Sequence, residues 1–88
     1  MRTYYLEPKY DSRKSFYKKA WVRENDNNTI DLISYATLVA TINKNVIPIT
    51  CHINGIYSAT TLRHIKEFLR QNDIPCGSKK DIINMYMN

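Results

Sequence analysis

Residues 46–71 read VIPITCHINGIYSATTLRHIKEFLRQ, and the hydropathy period changes within them. Ile47, Ile49, Cys51 and Ile53 alternate with Val46, Pro48, Thr50 and His52, the two-residue period of a strand with one face inward. Pro48 has no N–H for a ladder, so the pattern implies an edge strand or a bulge. Asn54-Gly55 then turns the chain. After it, Leu62, Ile65, Phe68 and Leu69 recur at spacings of three and four, while Arg63, Lys66, Glu67 and Arg70 fall on the opposite face. Ser58 or Thr60 caps this helix, and Asn72-Asp73-Ile74-Pro75 ends it, giving a helix over 58–72.

Upstream, Ser15–Glu24 reads as a strand with Phe16, Ala20 and Val22 on one face and Tyr17, Trp21 and Arg23 on the other. Asn25-Asp26-Asn27-Asn28 is a turn cluster, since such side chains satisfy local backbone groups and tolerate left-handed geometry. A strand follows around Thr29–Tyr35 and another from Thr37 to Asn43, with Leu38, Ala40 and Ile42 inward; one long strand bent near Ser34 fits equally well. Asn43-Lys44-Asn45 forms a hairpin loop. Residues 1–14 make an arm or an edge strand interrupted by Pro8. Downstream, Ser78 and Asp81 form a capping pair ahead of Ile82, Ile83, Tyr86 and Met87, a short helix over 78–87. The fold class is α+β: a small antiparallel β-meander over 15–57, one amphipathic helix packed on a face and a short C-terminal helix.

Eighty-eight residues suffice for a single domain and leave no room for a second. A chain of this size buries only ~60–65% of the surface its unfolded form exposes, which argues against a deep catalytic cleft. No run approaches the ~18 apolar residues of a membrane span. The first residues lack an apolar signal-type segment, so a cytoplasmic location is expected. Two cysteines are too few for a disulfide framework, and Cys51 at an inward position reads as a structural thiol.

Net charge is +5, and it is unevenly spread. Residues 1–24 carry seven bases and three acids, residues 25–60 are slightly acidic, and residues 61–88 carry five bases and three acids. Six of the ten aromatics also lie within the first 24 positions. Tyr4, Tyr5, Lys9, Tyr10, Arg13, Lys14, Tyr17, Lys18 and Lys19 thus form a candidate partner surface, cationic for phosphates or acidic side chains and ring-bearing for stacking. The bland alternative is a solvated face with lysine stems lying past the rings.

Chemistry-bearing clusters are scarce. Cys51 and His52 are neighbours on a strand and point to opposite faces, His64 and Cys76 stand apart, and no second pair completes a metal site. Gly55 and Gly77 lie in no phosphate-cradling loop, and the eight acids do not cluster. A non-enzyme without metal or cofactor is expected. One constellation has local physics: Ser58, Thr60, Thr61, Arg63 and His64 surround a helix N-terminus, where free N–H groups and the dipole attract an anion. Against that stands plain capping, with His64 packed or solvated.

The stretches Leu32-Ile33-Ser34-Tyr35-Ala36-Thr37-Leu38-Val39-Ala40 and Tyr57–Gln71 resemble a family of short proteins from bacteriophages and mobile elements of Gram-positive bacteria. That family shows a Ser-Tyr-x-Thr strand, a hairpin, and Tyr-Ser-Ala-Thr-Thr-x-Arg-His-Ile opening a helix. The likeness covers positions 32–71 and implies a phage or mobile-element setting, with no site residue to carry over. In that setting the expected function is non-enzymatic binding that inhibits or modulates a host or defence complex, CRISPR effector inhibition being the sharpest form. The partner would be a host or defence protein or a ribonucleoprotein. The alternative is a nucleic-acid-binding accessory protein using the same basic surface. An exposed sheet edge also invites a homodimer.

Overall fold

The Asn25–Asn28 cluster turns the chain as its composition dictates, with Asn28 left-handed at φ 64, and around it the sheet assembles. The computed structural model describes residues 1–87. Five strands, β1 (Arg2–Tyr5), β2 (Ala20–Glu24), β3 (Thr29–Ser34), β4 (Thr37–Asn43) and β5 (Thr50–Ile53), pair antiparallel in sequence order. Two helices follow, α1 (Ala59–Gln71) and α2 (Lys79–Tyr86). Among the described residues no helix is long and apolar enough to cross a membrane.

Both helices pack on one face of the meander. Ala20, Val22, Ile30, Leu32, Ala40, Ile42 and Ile53 point inward from the sheet, meeting Ile65, Phe68 and Leu69 of α1 and Ile82 of α2. Leu6, Phe16 and Ile74 close the ends of this core. Register places Tyr5, Trp21, Ile33 and Leu38 side by side on the opposite face. Beside that row lies Asp31, 6% exposed. It accepts from Arg23 at 3.2 and 2.8 Å, from Asn25 at 2.9 Å and from Thr41 at 2.7 Å. Burial alone would raise its carboxyl; the Asn25, Thr41 and Arg23 hydrogen bonds outweigh this and hold it below the usual carboxylate range.

Four expectations from the sequence need correction. The strand expected over Ser15–Glu24 begins only at Ala20, because Tyr17 and Lys18 adopt left-handed φ values of 54 and 60 and Lys19 N–H closes a turn onto Phe16 C=O at 2.9 Å. The strand expected from Val46 shrinks to Thr50–Ile53. Pairing with β4 starts at Asn43↔Thr50, Pro48 cannot donate, and Ile47 is fully exposed while Ile49 is 45% exposed. Leu38 faces away from the helices, because a bulge opposite Leu32/Ile33 leaves Val39 without a partner in β3 and flips the alternation. Glu67, placed on the solvated helix face, is 1% exposed.

Other features agree. The alternative at Ser34 resolves as two strands joined by Tyr35-Ala36, with Tyr35 left-handed at φ 60. Ser58 caps α1 by accepting from Thr61 N–H, and Ser78 and Asp81 form the full capping box of α2. Residues 1–14 supply edge strand β1 followed by a bent segment without regular secondary structure.

Candidate functional site

Glu67 organises the segment after β1. Its carboxylate accepts the N–H of Lys9 at 3.0 Å, of Tyr10 at 3.0 Å and of Asp11 at 2.9 Å, and the Gln71 amide at 2.6 Å. Gln71 also donates to Glu7 C=O at 2.7 Å. Burial pushes the Glu67 carboxyl up, but the bonds from Gln71 and from three consecutive backbone amides hold it below its ordinary value. Asp11 adds a second tie, accepting from Arg63 at 2.8 Å and from Arg13 N–H at 2.9 Å. Residues 9–11 are thus held without secondary structure, because Glu67 of α1 accepts their backbone N–H groups, while Asp11 accepts that of Arg13.

This clamp presents a cationic loop. Lys9, Tyr10, Arg13, Lys14, Tyr17, Lys18 and Lys19 are all exposed, as is Tyr5. The Lys18 ammonium sits 5.7 Å above the Tyr5 ring. Tyr4 departs from the set: it pairs with Val22 on the helix-covered side, is half-buried, and has the Arg2 guanidinium 4.7 Å over its ring. Of the other early aromatics, Phe16 is buried and Trp21 half-buried. Ion pairs occupy Arg2, Arg23, Arg63 and the terminal amine. Among the described residues, no ion pair engages Lys9, Arg13, Lys14, Lys18 or Lys19.

The residues singled out around the α1 N-terminus divide. Ser58 is used as the cap, and Thr61 lies inside, its hydroxyl 3.1 Å from Ser34 Oγ. His64 is fully buried, with Nδ1 2.8 Å from Ser34 Oγ and Phe16 packed edge-on at 4.7 Å between ring centroids. Its Nε2 has no hydrogen-bond partner among the described residues. Burial lowers its pKa, with the Asp11 charge opposing, so the imidazole is neutral near pH 7. Thr60, Arg63 and His64 then meet Arg13, Tyr17 and Lys19 from the loop, together with Ser15, Phe16 and Tyr35, around a cavity of about 330 Å³. Two candidate sets that the sequence kept apart therefore share one pocket.

Sequence reasoning missed Glu67, Asp11, Ser34 and Tyr35. A signal existed for one of them: Thr61, His64 and Glu67 recur at intervals of three beside the apolar stripe, so all three border the buried face. No comparable signal marks Ser34, which reaches the helix only through strand order. Among the described residues no three His, Cys or carboxylate side chains gather as a metal site. Burial pushes the Cys51 thiol up to about 12, so it stays protonated.

These features define a small α+β domain, an antiparallel meander backed by helices on one side, with a clamped cationic loop over a pocket. The chain belongs to a family of unknown function (DUF8033), whose model matches residues 4–84. No curated protein and no solved structure matches it.

Proposed function

We propose that this protein is a non-enzymatic binding module that docks its 9–19 loop on an acidic surface of a host or defence macromolecular complex and so modulates it. The observation that supports this reading is the set of five exposed cations outside any ion pair, interleaved with exposed Tyr10 and Tyr17 on a loop held in place by Glu67. A pre-ordered loop loses less entropy on binding than a free one, and Arg and Tyr are favoured contact residues. A charge of +5 is the wrong sign for nucleic-acid mimicry and the right one for an acidic patch. In the phage or mobile-element setting that the sequence resemblance implies, a CRISPR effector is the sharpest form of such a partner, and the cytoplasm of the host the expected location.

The test is affinity capture from a Gram-positive host lysate with the native chain and with a Lys14→Glu/Lys18→Glu/Lys19→Glu variant. A partner retained by the first and lost from the second is expected; identical captures would refute the loop as the contact.

A second reading, a nucleic-acid-binding accessory protein, is favoured by the interleaving of rings and cations, which suits stacked bases and phosphates. Five neutralised phosphates on a single strand imply that a fourfold rise in salt weakens binding roughly hundredfold. A protein interface weakens far less, so an oligonucleotide titration at two salt concentrations separates the readings.

A further inference from the structure

The pocket beneath the loop has a composition that simple docking does not require. Three cations, Arg13, Lys19 and Arg63, line it, and no carboxylate does among the described residues. Asp11 approaches from behind and neutralises Arg63, leaving Arg13 and Lys19 as surplus charge. Thr60 adds a hydroxyl at the first turn of α1, where backbone N–H groups lack intrahelical partners. Phe16, Tyr17 and Tyr35 supply ring walls.

His64 lies at the floor, at the end of a chain of hydroxyls that starts at the α1 cap. Ser58 Oγ donates to Thr61 Oγ1 at 3.2 Å. Thr61 Oγ1 lies 3.1 Å from Ser34 Oγ, and Ser34 Oγ lies 2.8 Å from His64 Nδ1. His64 Nε2 is buried without a hydrogen-bond partner among the described residues, and it is the ring's donor in the tautomer whose Nδ1 accepts from Ser34. Buried polar groups are almost always paired, so an unpaired ring nitrogen at a cation-lined cavity points to a ligand. Strain gathers at the same place: Tyr17, Lys18 and Tyr35 are non-glycine residues in left-handed conformation on two turns at the rim, and such strain concentrates at binding sites.

We propose that this pocket binds a phosphate monoester carried on a planar ring, that is, a nucleotide 5′-phosphate, with Arg13, Lys19 and Thr60 at the phosphoryl oxygens, His64 Nε2–H beneath them and Tyr17 or Tyr35 against the base. A doubly charged terminal group suits the two surplus cations. A floor closed by Phe16 and His64 admits the end of a ligand and not a chain running through. Tyr35, exposed and with its ring centroid 6.0 Å from that of the imidazole, is the side chain whose swing opens the floor. The inference does not rest on the partner reading above: the loop can dock with the pocket empty, and the pocket can bind with no partner present.

The experiment is calorimetric titration of the full chain with adenosine 5′-monophosphate and with 5′-phosphorylated and 5′-hydroxyl dithymidine, followed by NMR of the His64 ring protons. Expected are a Kd of about 1 mM or tighter for the phosphorylated ligands, at least tenfold weaker binding of the 5′-hydroxyl dinucleotide, and movement of the His64 resonances at saturation. An Arg13→Ala/Lys19→Ala variant, altered only at exposed positions, should lose at least tenfold. Tighter binding of the phosphorylated dinucleotide than of the mononucleotide identifies a strand end as the source; equal or weaker binding identifies a free nucleotide. Absence of binding at millimolar concentrations, equal binding of the two dinucleotides, an unaffected double variant or unmoved His64 resonances would each overturn the assignment.

Discussion

Three buried side chains titrate in ways that separate along the pH axis. His64 is neutral and its pKa is lowered by burial, so the unfolded chain takes up a proton more readily than the folded one. Its contribution is therefore complete above the unfolded value of about 6.5 and is lost as pH falls from there through the folded value. Glu67 and Asp31, both held below their ordinary values, are lost only at lower pH, from about 4 downward. Urea midpoints should thus decline in two steps on acidification, and His64→Gln should flatten the upper one alone. Glu67→Ala leaves three backbone N–H groups without their acceptor and should cost about 2–3 kcal/mol. Trypsin should then cut within residues 9–19 before the rest unfolds.

At the level of elements, α1 does two jobs with one surface. Ile65, Phe68 and Leu69 seal the core, while Thr61, His64 and Glu67 hold the hairpin end and the loop. Phe68→Ala should cost about 3–5 kcal/mol as a cavity opens. The Phe16–Lys19 turn behaves differently. Its central pair has φ > 0 at both residues, the geometry Asn-Gly prefers, yet the residues are Tyr17 and Lys18. Replacing them by Asn-Gly should stabilise the fold by roughly 1–2 kcal/mol in thermal melts while weakening the pull-down of any loop partner. This turn also shows why the sequence read as a strand from Ser15. Tyr-Lys carries no turn signature, so the alternation of Phe16, Tyr17, Ala20 and Trp21 ran straight through the break. The 46–49 stretch misled likewise, because Ile47 and Ile49 keep the period of a strand although Pro48 denies them a ladder. The α1 stripe, the Asn cluster and both helix caps were legible, since each depends on neighbours in sequence. Ser34 meeting His64 was not, because it depends on register and layer, which no local pattern encodes.

For the whole molecule, the two open edges are β1 and β5, each only four residues long. Edges this short give a second copy little to pair with, so the dimer anticipated from the sequence would need further contacts. Sedimentation velocity at high micromolar concentration should show a monomer; a dimer abolished by proline at Thr3 would instead place the contact on β1. The grip of Glu67 has a broader consequence. It holds the main chain at positions 9 to 11 through backbone N–H groups and not through the side chains of Lys9 and Tyr10, so the grip itself excludes only proline at those two positions. A lineage pursuing a target that keeps changing could rewrite the lettering there freely while the scaffold beneath stayed as it was.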